Sequence, residues 1–272
     1  MERFINLVLL CSSFLIFSPV LAQSGSLEEL SFPRVTDGML SDPPDEDWLM
    51  WRRTQNGWGY SPLDQIDKSN VTNLRMVWTR ALTEGSQTGT PLAYNGILFM
   101  PNPNDVIQAL NAATGDLIWE HRRDVPEAAR ESLGYLSTNN RNIAIWQNLI
   151  IDTSVDDHLF ALNAATGEQV WETMVLDYNT HPAIQGAGPN IGNGKVFSGR
   201  SCRPIAGPDA CVITAHDAET GAELWRRRTI PAPGEPGDET WATCLSKNAN
   251  MSVPGCHPAM TQNLILSLSG PL

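Results

Sequence analysis

Basic charge is scarce in this sequence, whose 272 residues carry 18 Lys and Arg against 30 Asp and Glu, a net charge of −12 at pH 7. A chain of this charge lacks the basic face that nucleic-acid phosphates require, which argues against a nucleic-acid partner. Cysteine and histidine are also few, at five each, and no spacing among them is typical of a zinc site or of a c-type haem attachment sequence. The composition therefore leaves an ordinary acidic globular protein, unusual only in its nine tryptophans.

Long apolar runs are absent except at the N-terminus, which begins MERFINLVLLCSSFLIFSPVLAQ. Arg3 starts this segment, the apolar run extends to Phe17, and small residues precede a cut after Ala22, as in a secretory signal peptide. A membrane anchor is the alternative, but the run is short for a bilayer and is broken by Ser and Pro. We therefore expect a signal peptide at residues 1–22, no stable membrane span, an exposed segment at 23–46, and a periplasmic or secreted protein.

Export leaves four cysteines, two of which lie close together in the sequence CRPIAGPDAC. In an oxidising compartment Cys202 and Cys211 can close this short loop as a disulfide. The alternative is a pair of buried free thiols. We expect the disulfide, because the signal sequence places the chain outside the cytoplasm.

One pattern occurs three times, as ALNAATGDLIWE from Ala109, ALNAATGEQVWE from Ala161 and AHDAETGAELWR from Ala215. The tryptophans of the three copies stand 52 and 54 positions apart. A period of about 40–50 residues is typical of one four-stranded propeller blade. Each copy joins two alternating strands by a turn that starts with Asn or Asp and contains Gly, which supplies the positive φ of a tight hairpin.

A tryptophan at one fixed place in each unit favours packing between neighbouring blades, since one blade cannot bury its own faces. A row of aromatic rings that stack on a ligand is the alternative. The segment NLRMVWTRAL ends in a similar strand and belongs to the start of the ring. The sequence thus predicts an all-β, incomplete β-propeller of about three to four blades, in which the blade-packing residues are Trp78, Trp119, Trp171 and Trp225.

The repeat, together with DWLMWRRTQNGWGYSPLDQIDKSNVTNLRMVWTRAL from Asp47, resembles the pyrroloquinoline quinone (PQQ) dependent alcohol dehydrogenases. The resemblance extends from about Val35 to Trp241 and identifies residues 47–241 as part of a PQQ-type propeller. It implies an eight-bladed ring with PQQ and Ca²⁺ on its axis. It also implies a small-molecule alcohol substrate, primary or secondary, an aspartate base, hydride transfer to the quinone, and a separate electron acceptor.

The same resemblance implies roles for individual residues. NRNIAI is similar to a family segment whose arginine contacts PQQ, which assigns Arg141, although a surface charge is the alternative. IIDTSVDDH is similar to a strand whose threonine touches a PQQ carboxylate, which assigns Thr153, although a plain strand residue is the alternative. GSQTGTPL places Thr88 where the family has a PQQ-binding glutamate, and Asp209 is the one carboxylate in the loop where a calcium ligand is expected.

The resemblance stops at Trp241, and we expect residues 242–272 to be a frameshifted, non-family tail. When the last base of each codon is joined to the first two of the next, Trp241 and Ala242 force Gly, and the later junctions permit a family-like sequence. The catalytic aspartate of the family then lies beyond this chain, so we assign no catalytic residue and expect the chain to be inactive. A non-catalytic envelope propeller that binds a protein partner is the alternative function.

Overall fold

Three four-stranded antiparallel sheets follow one another along the chain, one for each copy of the repeat. A computed structural model describes residues 32–133, 140–183, 187–200, 206–231 and 234–237. The first sheet contains β1 (Leu92–Tyr94), β2 (Ile97–Asn102), β3 (Val106–Asn111) and β4 (Leu117–Arg122). The second contains β5 (Ala144–Trp146), β6 (Leu149–Thr153), β7 (His158–Asn163) and β8 (Gln169–Met174), and the third β9 (Asn190–Gly192), β10 (Lys195–Gly199), β11 (Val212–Asp217) and β12 (Glu223–Arg228).

Helical structure in the described ranges consists of short pieces. The α-helices are α1 (Asp37–Ser41) and α2 (Glu127–Leu133), and two 3₁₀ turns are Val71–Asn73 and Pro208–Ala210. The hydroxyl of Thr36 caps α1 by accepting a hydrogen bond from the backbone N–H of Met39, at 3.3 Å.

Each sheet is an up-and-down blade in which strand order follows chain order. The first strands of successive blades are neighbours, because a parallel bridge joins Thr90 to Asn142 at the starts of β1 and β5, and β5 lies beside β9. The fourth strands β4, β8 and β12 are the outer, largely exposed ones. The described part of the chain is therefore three blades of an incomplete β-propeller, which confirms the fold predicted from the repeat.

The hairpin turn of each repeat is stabilised by its first residue and its glycine. The Asn111 side-chain oxygen accepts a hydrogen bond from the backbone N–H of Ala113, at 2.9 Å, and the turns after Asn163 and Asp217 repeat this contact. The glycine in each turn has a φ of +74° to +75°, a conformation that few other residues adopt without strain; these are Gly115, Gly167 and Gly221.

The repeat tryptophans of the first and second blades each pack on the hairpin turn of the next blade. The indole Nε1 of Trp119 donates to the carbonyl oxygen of Ala164, at 2.9 Å, and its ring lies against Gly167. Trp171 makes the same contact with Ala218. Trp78 makes it with Ala112, and therefore stands one blade earlier in the same position. The arrangement fastens each outer strand to the next blade.

The segment before the blades is partly a core element. We expected residues 23–46 to be exposed, and this is wrong for Val35 and Leu40, which are fully buried in the main hydrophobic core. Backbone hydrogen bonds between Val35 and Gln147, at 2.7 and 2.9 Å, attach this segment to the turn between β5 and β6. The buried pair supplies apolar surface to the second blade.

The extended segment around Trp78 lies largely in solvent, with Met76 and Val77 more than 80% exposed. In the described ranges of the chain, no helix has the length and apolar character needed to span a membrane. The predicted signal peptide at 1–22 and tail at 242–272, and Cys202, lie outside the described residues.

Candidate functional site

The loops at one end of the three blades form the candidate site. Because neighbouring strands are antiparallel, the loop after the second strand and the exit from the fourth strand lie at the same end of each blade. The Thr-Gly hairpin turns lie at the opposite end. The residues singled out from the sequence, Thr88, Arg141, Thr153 and Asp209, all belong to the loop end.

The segments that carry two of these residues, Thr88 and Arg141, are joined by hydrogen bonds. The hydroxyl of Thr88 donates to the carbonyl oxygen of Asn140, at 3.2 Å, and the N–H of Thr90 donates to the carbonyl oxygen of Arg141, at 2.6 Å. The Arg141 side chain is exposed, and its guanidinium has no hydrogen bond or ion pair in the described part of the chain. It is therefore free to meet an anionic ligand.

The third residue, Thr153, is joined to the same segment through its neighbour Asp152. One carboxyl oxygen of Asp152 accepts the backbone N–H of Thr153, at 2.7 Å, and the other accepts the side-chain amide of Asn140, at 2.6 Å. Asp152 is fully buried, and Thr153 and Asn140 are nearly so. The structure thus brings Thr88, Arg141 and Thr153 into one group of contacting segments.

A second buried carboxyl group, Asp105, lies beside this link. Asp105 follows β2 and accepts the backbone N–H of Val155 from the next blade, at 3.0 Å. Burial raises the pKa of Asp105 to about 7, because removal from water disfavours the charged form, and the Val155 N–H opposes this shift only in part. Burial together with the charge of Asp105 raises the pKa of Asp152 well above its usual value.

A cation joins the first two blades close to this carboxyl pair. Arg123, after β4, forms ion pairs with Asp156 and Glu172 of the second blade, both at 2.9 Å. Burial acts to raise the pKa of Asp156, but hydrogen bonds from His158, Arg123 and Ser154 outweigh it, so the pKa is lowered. The hydrogen bond to Asp156 raises the pKa of His158. This ion-pair group fixes the loop after β6 against the first blade.

The second and third blades are joined by a fully buried ion pair between Asp157 and Arg200. The Nε atom of Arg200 donates to Asp157, at 3.0 Å, and its Nη1 donates to the hydroxyl of Ser198, at 2.5 Å. Burial raises the pKa of Asp157 to about 6, against the opposing charge of Arg200. Such a pair does more to fix the relative position of two loops than to stabilise the fold.

The remaining sequence-predicted residues lie on the outer side of the third blade. Asp209, in a 3₁₀ turn, accepts a hydrogen bond from Arg228 of β12 at 2.5 Å and is half exposed. Cys211 is disulfide-bonded, while its expected partner lies outside the described residues. Among described residues, no three His, Cys, Asp or Glu side chains are grouped as metal ligands would be. Asp209, whose carboxylate binds Arg228, is therefore not part of such a group among the described residues.

Comparison with known proteins decides the family. Residues 48–253 match the PQQ family described as the glucose/ethanol/alcohol dehydrogenase β-propeller domain. The chain belongs to this family. The match extends twelve positions beyond Trp241, where the resemblance was expected to end.

Two relatives of this chain are named as alcohol dehydrogenases. It is 34% identical over 215 residues to the dehydrogenase subunit of a quinone alcohol dehydrogenase from Komagataeibacter europaeus, covering 76% of this chain and 29% of the relative. It is 33% identical over 214 residues to a quinohemoprotein alcohol dehydrogenase from Pseudomonas putida, covering 75% and 28%. The chain thus spans under a third of the length of these relatives.

Solved structures of similar proteins have the same fold as the described blades. The structure of a quinohemoprotein alcohol dehydrogenase from Pseudomonas putida superposes with a TM-score of 0.65 at 29% identity, covering 78% of this chain and 32% of the other. That of the Comamonas testosteroni enzyme gives 0.60 at 28%, covering 76% and 30%. A europium-containing methanol dehydrogenase, at 23% identity, gives 0.62 and supports the fold alone.

The donors at the loop end fit the acidic cofactor of the PQQ family. A cofactor that carries carboxylates needs a cation and polar hydrogens, and the guanidinium of Arg141 is a cation with no partner among the described residues. The Thr88 hydroxyl already donates to the carbonyl oxygen of Asn140, the residue before Arg141.

The sequence did not reveal the contact of Asp105 with Val155 or the ion pairs of Arg123 and Arg200. Each of these contacts joins loops of two neighbouring blades. One signal was present: Asp105 and Asp157 each stand four residues before the repeat alanines Ala109 and Ala161.

Proposed function

We propose that the loop end of these blades forms one side of the PQQ site of an exported alcohol dehydrogenase that oxidises primary or secondary alcohols. The observation that carries this proposal is Arg141, whose guanidinium is exposed and unpaired while its backbone is fixed to Thr90. A cation held in this way at the mouth of a site binds a carboxylate without first giving up another partner.

Each residue of the site has a definite part in this proposal. PQQ, when bound, supplies the quinone that takes up a hydride from the alcohol carbon. Arg141 binds and orients a cofactor carboxylate. Thr153, at the end of β6, lines the neighbouring wall, and Thr88 keeps Asn140 and Arg141 against the first blade through its hydrogen bond. The ion pairs of Arg123 and Arg200 keep the walls of three blades together.

We further propose that this chain alone does not oxidise alcohols. Of the site carboxylates in the described residues, Asp105 and Asp152 are buried away from any substrate, and Asp156 and Asp157 are bound to arginines. None of these four can take the proton of an alcohol hydroxyl at the mouth of the site, where a general base must be within hydrogen-bond reach. We therefore assign the aspartate base and the electron acceptor that the resemblance implies to no described residue.

Calcium and export enter the proposal through the sequence alone. Ca²⁺ takes six to eight oxygen ligands, and Asp209 is bound to Arg228, so we assign no calcium ligand among the residues that the structure describes. Export through the signal peptide at 1–22 stays a prediction. The scaffold alternative is less well supported, because the relatives reported above are named as alcohol dehydrogenases rather than scaffold proteins.

Binding of PQQ to the purified 272-residue chain tests the proposal, measured by equilibrium dialysis. Arg141→Ala should weaken binding about tenfold or more, the usual value of a charge-assisted hydrogen bond. The matched control is Lys195→Ala, which removes an exposed cation at the start of β10, at the opposite end of the blades, and should leave binding unchanged.

Two results would overturn the proposal. PQQ that does not bind at all, or that binds equally to the wild type and to Arg141→Ala, shows that the loop end is not its site. Alcohol-dependent reduction of a dye by the chain with PQQ would contradict the proposed inactivity.

A further inference from the structure

Asp152 connects the segments that carry the proposed PQQ contacts. Its carboxylate is fully buried, and its two oxygens bind the N–H of Thr153 and the side-chain amide of Asn140. Asn140 immediately precedes Arg141. One carboxylate therefore fastens the connection between the first and second blades to the end of strand β6.

The blade itself does not need a carboxylate at this position. The equivalent residue of the first blade, three positions after the start of β2, is Met100, and that of the third blade, three after the start of β10, is Ser198. Both blades form the same four-stranded sheet with an apolar or a small polar residue there. A buried carboxylate beside Asp105 disfavours folding, so a role in holding the site explains Asp152 better than a role in forming the sheet.

The segment that Asp152 holds has further attachments to the first blade. The carbonyl oxygen of Asn140 accepts the hydroxyl of Thr88, and that of Arg141 accepts the N–H of Thr90. These two contacts bind the segment on one side, and the contact of Asp152 with the Asn140 amide binds it on the other. Without Asp152 the Asn140 side chain loses its contact to β6, and the contacts with Thr88 and Thr90 are left to hold the segment without this support.

We propose that Asp152 is a positioning residue for PQQ binding, which fixes Arg141 relative to Thr153 through the side chain of Asn140. This inference rests on the proposed function. Asp152 touches neither substrate nor cofactor. It sets the separation of two cofactor contacts, and this separation decides whether both can reach one rigid ligand.

A double-mutant cycle on the full 272-residue chain tests this role. Asp152→Ser introduces the residue that the third blade has at this position, and serine is too short to reach Asn140. PQQ affinity, measured by equilibrium dialysis, should fall about tenfold in the wild-type background and should not fall further in Arg141→Ala. Equal losses in both backgrounds would overturn the proposal, because Asp152 would then act without Arg141.

Amide hydrogen exchange gives a readout that does not depend on PQQ. The N–H of Thr90, which donates to Arg141, should exchange at least several-fold faster in Asp152→Ser, whereas Gly167, at the far end of the blade, should be unchanged. Unchanged exchange at Thr90 would overturn the proposal. Asp105→Asn is the control, since Asp105 is the neighbouring buried carboxyl group and has no hydrogen bond to Asn140.

The two readouts separate this inference from the proposed function. If Arg141→Ala and Asp152→Ser both leave PQQ affinity unchanged while Thr90 exchange rises, the PQQ site is wrong and Asp152 only stabilises a loop. If Arg141→Ala weakens binding and Asp152→Ser does not, the site is right and the positioning role is wrong.

Discussion

Two carboxyl groups at the loop end, Asp105 and Asp152, are buried where the charged form is disfavoured. Asp105 and Asp152 have no ion pair in the described residues, and their hydrogen-bond donors are backbone N–H groups and one amide. Burial raises the pKa of both groups, and the charge of Asp105 raises that of Asp152 further. The free energy of unfolding should therefore depend on pH through these two groups.

The free energy of unfolding of the Asp105→Asn variant should rise relative to that of the wild type as the pH rises. With a pKa of about 7 in the folded state and 3.8 ordinarily, wild-type Asp105 binds more protons when folded, so its contribution to the free energy of unfolding falls between pH 4 and pH 7. The asparagine keeps an oxygen for the N–H of Val155 and tolerates the φ of +54°. Urea unfolding should show a difference from wild type that grows by about 1–4 kcal/mol from pH 4.5 to pH 8.

Asp64→Asn is the control for this series, because it removes an exposed carboxylate. Its difference from wild type should stay nearly constant across the same pH range. A constant difference for Asp105→Asn as well would show that Asp105 has an ordinary pKa in the folded protein.

The hairpin turn is the element that the sequence predicts best. Asn111 and Gly115 act within a few residues of each other, so the side-chain contact of the first and the positive φ of the second follow from local rules. The long strands on either side have enough alternating residues to be recognised. The first strands of the blades, three residues each, are too short to show a pattern, and only the propeller pitch implied them.

The site could be predicted only in part, and the reason is also structural. Arg141 and Thr153 were found through resemblance, not through local chemistry. The contact of Asp152 with Asn140 joins residues twelve positions apart, and that of Arg123 with Glu172 joins residues 49 apart. Such contacts form only when the blades pack together, so no local sequence pattern predicts them.

Gly167→Ala tests how much the turn depends on its neighbour. A Cβ at Gly167 would lie 2.6 Å from Cε3 of Trp119, and the φ is +75°, so we expect a loss of about 2–4 kcal/mol. Gly96→Ala is the matched control, because its φ of +74° imposes the same strain while nothing lies within 4 Å of its Cβ. It should lose about 1 kcal/mol. Equal urea midpoints for the two variants would mean that Trp119 moves aside freely.

At the scale of the whole molecule, the three blades follow one another, and at each interface between described blades a tryptophan packs on the turn of the next blade in addition to the ion pairs described above. The free energy of unfolding of such an array is close to a sum of blade terms and interface terms. Trp78 occupies the outer-strand position of a preceding blade, although its segment pairs with no sheet among the described residues. Trp225 occupies the same position in the third blade, where it contacts Phe197 of its own sheet.

Trp119→Ala and Trp225→Ala should therefore differ, although both remove the same residue of the repeat. Trp119 is 8% exposed and fills the interface between two described blades, so its removal should cost about 3–5 kcal/mol in urea unfolding. Trp225 is more exposed, and in the part of the chain that the structure describes no hairpin turn packs on it, so its loss should be much smaller. Equal losses would show that residues outside the described ranges supply a turn to Trp225. The array would then continue past the third blade, since only a following turn gives this tryptophan the surface that Trp119 buries.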